Sequence, residues 1–223
     1  MTGCVGRAIL TLAVLVVGAL PSPALGQAVE TPAPASDEEG LAVMQRRIVG
    51  VVEAIIDYTR DVRLTEPGLE AVLEHYAALG EIHGDGDAGR LVERAFVDGR
   101  YDFDAIVSDP AYVSWSRQRD LEPEVFFHEL LRLQALRMRE ESLRGLDEAR
   151  EEMPEQRAAL GQMRDRMGEE QYDQAVLALE SAAAMVEETR TLMEGLPMPA
   201  PEEAALLARH DERIRATLGE DSE

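Results

Sequence analysis

The stretch VFFHELLRLQALRM, residues 125–138, is apolar on almost every side of a helix, and it decides the fold. Two apolar stripes at helical spacing run along it, widened by Leu136: Phe126, Leu130 and Leu133 form one, and Phe127, Leu131 and Met138 form the other. A helix of this kind must be covered on all sides by other elements. The stretch therefore predicts the central helix of an all-α protein. Pro123 stands in its first turn, where a missing N–H costs nothing.

A second long helix is predicted over residues 169–196, where apolar side chains recur at heptad spacing. One row consists of Tyr172, Val176, Leu179, Ala183, Val186 and Met193, and beside it runs a row of Ala175, Ala178, Ala182, Met185, Thr189 and Leu192. Such a pattern is typical of a helix packed lengthwise against another helix. Between the two long helices, Pro154 predicts a break or a restart.

The rest of the chain also has the signals of helices. Leu41 to Val62 predicts a first helix, and Thr65-Glu66-Pro67 begins a second that stops at Gly80, so the two are expected to form an αα-hairpin. Short helices follow, one ending at Gly99 and another starting at Asp109-Pro110, and a last helix spans residues 202–218 after a proline-rich linker. The predicted class is all-α: a helical bundle with an N-terminal αα-hairpin, short middle helices and long antiparallel C-terminal helices.

The N-terminal residues have the features of a secretory signal peptide. Residues 1–26 combine Arg7, an apolar stretch from Ala8 to Leu20 and the small-x-small site Ala24-Leu25-Gly26, which predicts cleavage before Gln27. We expect a periplasmic or secreted protein with a disordered tether at 27–40, a single domain at 41–218 and a disordered tail at 219–223. After cleavage no stable membrane anchor and no cysteine is expected, because Cys4 is the only cysteine.

Composition restricts the partners. The formal net charge is −22, and all 22 basic residues are arginine, with neither Lys nor Asn in the chain. An acidic surface repels phosphate backbones, so a nucleic-acid partner is not expected. It favours basic proteins, cationic ligands or loosely held divalent cations, although acidity also serves the solubility of an exported protein. No cofactor is predicted, and the absence of lysine excludes a P-loop or Schiff-base lysine.

His128 and Glu129 are the catalytic candidates of the sequence. His128-Glu129-Leu130-Leu131-Arg132 departs from the H-E-x-x-H zinc motif, since Arg132 stands where the second imidazole is needed. A partly buried structural His128 near Trp115 is the preferred interpretation. An active site at His128 and Glu129 is the alternative.

A possible cation site lies in the loop that follows the second helix. His83, Asp85 and Asp87, with Glu81, offer ligands for a metal ion. Gly89, Arg90 and Phe96 stand where an EF-hand loop beginning at Asp85 needs a ligand, glycine and glutamate, so the segment is not an EF-hand. A solvated Gly/Asp turn is the preferred interpretation.

The order of these parts resembles a loose group of uncharacterised exported all-helical proteins of Gram-negative bacteria. The resemblance is carried by Leu64-Thr65, by Tyr112 to Trp115 and by Leu121-Glu122-Pro123-Glu124, together with the long charged C-terminal region. It covers most of the chain after the signal peptide. It implies the all-α fold and export, and it implies no activity.

Two functions are compatible with the sequence. The first is a non-catalytic, envelope-associated module that binds a protein partner through its C-terminal helices, whose many methionines suit adaptable surfaces; a homodimer through the same helices is a variant. The second is a periplasmic hydrolase or metal-dependent enzyme with a site near His128 and Glu129. The sequence favours the first, because it has no complete catalytic or metal-binding motif.

Overall fold

The computed structural model describes residues 36–82, 95–97 and 100–218, with the backbone alone for residues 36–45, 47, 48 and 97. This part of the chain contains seven α-helices and one very small antiparallel sheet, so the predicted all-α class is confirmed. The predicted signal peptide, residues 27–35 of the tether, the tail at 219–223 and the residues His83, Asp85 and Asp87 lie outside the described residues. Among the helices described, none combines the length and the apolar character that a bilayer crossing requires.

The elements follow one another along the chain with short connections. They are α1 (Ser36–Thr59), α2 (Glu66–His75), a 3₁₀ turn (Ala77–Glu81), β1 (Phe96–Val97), β2 (Arg100–Tyr101), α3 (Asp104–Val107), α4 (Pro110–Arg117), α5 (Pro123–Met163), a 3₁₀ turn (Arg164–Arg166), α6 (Glu169–Glu194) and α7 (Pro201–Leu218). Thr65 and Asp109 accept hydrogen bonds from the first turns of α2 and α4, as their sequence positions predict.

The first half of α5 is the centre of the core, as predicted. Each apolar residue of the two stripes between Phe126 and Met138 is buried, and α1, α2, α3 and α4 all pack against this helix. Aromatic rings fill the space between α1, α4 and α5: Tyr58, Phe103, Tyr112 and Trp115 contact Phe126 or Phe127 directly or through one another.

The second half of α5 forms an antiparallel pair with α6, again as predicted. Arg157 Nη2 lies 3.1 Å from Glu180 Oε1, Arg150 Nε lies 3.6 Å from Glu187 Oε1, and Asp147 pairs with Arg190. The partners on α6 move up the chain as those on α5 move down it, which fixes the direction. The seam between the helices takes residues from both predicted rows of α6, with Ala182, Val186 and Met193 buried.

The N-terminal helices are arranged differently from the prediction. Both α1 and α2 pack against α5 more extensively than against each other, so the expected αα-hairpin is not a closely paired unit. Instead α2 runs parallel to α7, since Glu66 and Glu70 pair in the same order with Arg209 and Arg213. The reason lies before α2, where side chains of α5 and α7 bind the backbone at Leu64 and Thr65.

Three local predictions also differ from the structure. Phe96–Val97 pairs with Arg100–Tyr101 as a short hairpin, where a helix ending at Gly99 was expected. Helix α1 begins at Ser36, within the predicted tether. Helix α5 continues through Pro154, and the side chains on both sides of this proline are exposed except for Met153. The carbonyl group that the proline leaves without an N–H partner belongs to the exposed Arg150, where water can bind it.

Candidate functional site

The two catalytic candidates have different neighbours. The ring of His128 packs on Tyr58 of α1, with 4.4 Å between the ring centroids. The sequence predicts Trp115 as its neighbour, but the histidine whose ring contacts Trp115 is His75. The carboxylate of Glu129 turns toward the start of α2, where its two oxygens accept from the backbone N–H of Thr65 at 3.0 Å and from the Thr65 hydroxyl at 2.8 Å. The hypothesis of a hydrolase site at this pair gains no support from these contacts.

Glu129 is buried, and its surroundings change the pKa of its carboxyl group. Burial raises the pKa of its carboxyl group above the ordinary value, and this effect outweighs the opposing hydrogen bonds from Thr65. Gly68 lies against the same side chain, because a Cβ atom built at this position would stand 2.2 Å from the Glu129 Cδ. The fit of Glu129 between Thr65 and Gly68 indicates a structural role in fixing the first turn of α2.

One turn further along α5, Arg132 forms a buried ion pair with Glu203 of α7. The two side chains are 1% and 2% exposed, and Arg132 donates through Nε at 2.9 Å and through Nη2 at 2.7 Å to the two carboxylate oxygens. Glu203 also accepts from the backbone N–H groups of Leu64 at 2.8 Å and Ala200 at 2.7 Å. Burial raises the pKa of Glu203, but Arg132 and the two N–H groups together hold it below its ordinary value.

We call the buried residues Glu129, Arg132 and Glu203, together with the exposed Thr65 that caps α2, the buried charge cluster. It joins the N-terminal ends of α2 and α7 to the N-terminal part of α5. Both helices begin here, so their exposed N–H groups and dipoles favour the two carboxylates, while Arg132 balances part of the negative charge. Within the described residues no group of three or more His, Cys, Asp or Glu side chains is placed to hold a metal ion. This arrangement can hold the three helices α2, α5 and α7 in register.

A second surface is formed by residues 147–181, the outer halves of α5 and α6 with the turn between them, which we call the arm. All of it is described, and Leu160 is its only buried residue. Leu160 and the nearby Ala182 are buried without belonging to the main core cluster, so the arm packs chiefly on itself. At about 1.5 Å per residue, its α5 half extends for roughly 24 Å.

The seam of the arm is only partly closed. Tyr172, Ala175, Val176 and Leu179 remain partly accessible along α6, and Leu177 on its outer side is 65% exposed. Two helices alone cannot cover an apolar seam from both sides, because each groove beside the seam faces water. The arm therefore presents apolar surface at its flanks.

Carboxylates surround this apolar surface. The arm contains ten Asp and Glu residues against four Arg, and two of these arginines, Arg150 and Arg157, are already paired with glutamates of α6. The other two stand at the turn, where Arg164 lies over the ring of Tyr172 at 5.3 Å. The arm is thus an acidic surface with an apolar stripe.

The sequence contained one signal for the buried charge cluster that the predictions did not use. Arg132 lies inside the apolar stretch 125–138 of α5, and an arginine in such a position needs an acidic partner nearby. Its partner is 71 residues away along the chain, so the pair could be suspected but not identified. No known protein family, curated protein or solved structure matches the chain.

Proposed function

We propose that the protein is a non-catalytic binding module and that its arm holds a basic partner protein. The observation that carries the proposal is the partly open seam of residues 147–181, with Leu177 exposed at 65%. Exposed apolar surface next to polar residues is a common feature of protein-binding sites. A helix laid along the seam would cover the half-buried side chains of α6.

The charge of the arm selects the kind of partner. Ten acidic residues against four arginines favour association with a positively charged protein and oppose association with another anionic surface. A second copy of this chain would bring two acidic arms together, which disfavours the homodimer variant. Basic amphipathic segments combine the apolar stripe and the positive charge that this surface requires.

The proposal is tested by site-specific crosslinking in extracts of the cells that make the protein. A photoreactive amino acid replaces Leu177 on the arm, and in the matched control it replaces Ala111, an exposed residue of α4. We expect the arm position to form a covalent adduct with a protein rich in arginine and lysine. Raised salt should weaken the adduct, because exposed charges are screened.

Three results would contradict the proposal. They are the absence of any adduct from Leu177, the same adducts from Ala111, and an adduct made only of two copies of this chain. The last result would favour the homodimer, which sedimentation at increasing protein concentration then measures directly.

We also propose that the protein acts after export. The support is the signal-peptide pattern of residues 1–26, with its apolar stretch and the Ala24-Leu25-Gly26 site. N-terminal sequencing of the protein from fractionated cells is expected to begin at Gln27 in the exported fraction. Recovery from the cytosol with residues 1–26 attached would contradict the proposal.

A further inference from the structure

A groove of about 890 Å³ lies between α1 and the segment from β1 to the start of α3, away from the arm. It is open to solvent on one side. One wall is a stripe of α1 from Arg46 to Tyr58, and the other wall is formed by residues 100–104 with Phe96. Gly50 faces Tyr101 across the groove, since a Cβ atom built there would lie 3.9 Å from the Tyr101 ring, an ordinary contact distance.

Four aromatic rings line the groove in an unbroken row. Tyr58 contacts Phe103 with 5.3 Å between centroids, Phe103 lies 6.4 Å from Tyr101, and Tyr101 lies 5.0 Å from Phe96. Phe103 is buried, whereas the other three rings are partly accessible. The faces of such rings carry negative potential and attract cations.

Carboxylates stand on both walls beside these rings. Glu53 and Asp57 project one turn apart from α1, and Asp102 and Asp104 come from the opposite wall. All four residues are exposed. Asp57 also pairs with Arg60 at 2.6 Å, but both side chains of this pair are largely in water, so the contact is weak and easily exchanged.

The hydroxyl group of Tyr58 is the one polar atom of the lining that is enclosed and lacks a hydrogen-bond partner in the described residues. Burial raises the pKa of this phenol to about 12, and the carboxylates of Asp104 and Glu124 add to the effect. The hydroxyl therefore stays protonated at neutral pH. Tyr58, Asp57 and Asp104 all line the groove.

We infer that this groove binds an organic cation, an alkylammonium or guanidinium group, between the partly accessible rings of Tyr58 and Tyr101 and the carboxylates of Glu53, Asp57 and Asp104. The aromatic faces attract the cation and the carboxylates neutralise it, a combination that selects positive charge carried on an apolar frame. Arg46 and Arg100 also line the groove, but the four carboxylates outnumber them, so the net charge of the lining is negative. The group can belong to a free amine or to an arginine or lysine side chain of another protein.

The test is a titration of the full chain with n-butylammonium, followed by NMR shifts of the Tyr58 ring. The isosteric probes n-butanol and butyrate accompany it. We expect saturable binding of butylammonium alone. Changing Glu53→Gln and Asp57→Asn together should weaken it by about tenfold or more, since both charge-assisted contacts are lost. The matched control, Glu151→Gln with Glu155→Gln, removes two exposed carboxylates at the same spacing from α5 and should leave the affinity unchanged.

Each other outcome overturns the inference. Absence of saturable binding, equal binding of butanol, binding of butyrate, or equal weakening by the control pair all exclude a cation site in the groove. Two further probes are arginine amide and a twelve-residue peptide of alternating arginine and alanine. They distinguish a free amine from a protein side chain as the source of the cation. Tighter binding of the peptide, sensitive to Glu53→Gln with Asp57→Asn, supports a protein side chain; equal or weaker binding supports a free amine.

Discussion

Arg132 and Glu203 are almost fully enclosed by protein, and an enclosed ion pair is stabilising only while both charges remain. Each charge gave up its hydration on folding, and each is compensated by the other and by backbone groups. The pair therefore makes the contact between α5 and α7 specific, because α7 can dock in only one position that satisfies Glu203. Removal of one partner leaves the other charge with its backbone hydrogen bonds alone.

We expect Arg132→Met to lower the free energy of unfolding by about 3–5 kcal/mol. Adding Glu203→Gln to this variant should recover part of the loss, since the stranded charge is removed, and urea denaturation measures both. The matched control is Arg157→Met, which breaks the exposed pair with Glu180 and should cost less than about 1 kcal/mol. Equal losses at the two arginines would contradict the role assigned to burial.

Glu129 gives a pH dependence with a definite sign. Its pKa in the folded protein is raised above the ordinary 4.5, so the folded state binds the proton more tightly than the unfolded state does. The contribution of this carboxyl to stability is therefore fully present below pH 4.5 and is lost as the pH rises through the raised pKa. Glu203, whose pKa is lowered, has the opposite sign and loses its contribution as the pH falls below 4.5.

The measurement compares the wild type with Glu129→Gln at several pH values. We expect the advantage of the wild type to shrink as the pH rises above 4.5, because only the wild type must ionise a buried carboxyl group. Denaturant unfolding at fixed ionic strength provides the free energies. If the difference in unfolding free energy between the wild type and Glu129→Gln stays constant or grows with pH, the raised pKa of Glu129 is contradicted.

Single residues also mark the limit of what the sequence could predict. The apolar stripes around Phe126 and Leu131 could be read directly, because burial follows from helical spacing. The roles of Glu129 and Arg132 could not, since they depend on Thr65 and Glu203, which are distant in the chain. Hydrogen-bond partners of buried charges have no periodicity that a sequence pattern displays.

At the scale of the elements, two glycines within helices have opposite surroundings. A Cβ atom at Gly68 of α2 would overlap the Glu129 side chain, with the nearest atom at 2.2 Å, whereas at Gly161 of α5 it would meet nothing within 4 Å. Helix propensity favours alanine at both positions. Packing therefore decides whether alanine stabilises or destabilises the protein at position 68, and helix propensity decides it at position 161.

We expect Gly68→Ala to destabilise the protein by about 1–3 kcal/mol, because Glu129 must leave its hydrogen bonds with Thr65 to make room. Gly161→Ala should instead stabilise it by roughly 0.5–1 kcal/mol through the lower backbone entropy of alanine in the unfolded chain. Thermal and urea denaturation of the two variants provide the comparison. Stabilisation by Gly68→Ala would show that Glu129 moves without loss.

Pro154 tests the continuity of α5. A proline within a helix is less favourable than alanine by about 3 kcal/mol, and α5 nevertheless continues through it. Pro154→Ala restores an N–H group for the backbone and should raise the free energy of unfolding by about 1–3 kcal/mol. An unchanged stability, measured by urea denaturation, would contradict a helix that is strained at this position.

The same proline shows why element boundaries were harder to predict than elements. Helix α5 and α6 were both expected from their apolar spacing, and so was their antiparallel pairing. The continuation past Pro154 depends on the partner helix α6, which packs along α5 on both sides of the proline. Local propensity is outweighed there by a tertiary contact.

The whole molecule joins a well-packed body to an arm with little burial, and one helix passes through both. The first half of α5 packs against α1, α2, α3 and α4, whereas among the described residues its second half pairs chiefly with α6 and is mostly exposed. The free energy of local opening follows the number of buried apolar contacts, so it should fall along this single helix. The sequence indicates the same change, because the helix becomes polar after Gly145.

Amide hydrogen exchange measures that gradient. We expect residues 126–138 of α5 to exchange only by global unfolding and residues 150–163 to exchange much faster, through opening of the arm. Uniform protection along α5 would contradict an arm that packs chiefly on itself. A bound partner on the arm should slow exchange in residues 150–181 without changing residues 126–138, because ligand binding stabilises the part of the structure that it covers. The arm should thus be the least protected part of α5 in the free protein and the part whose protection increases when a partner binds. The same exchange experiment observes both effects.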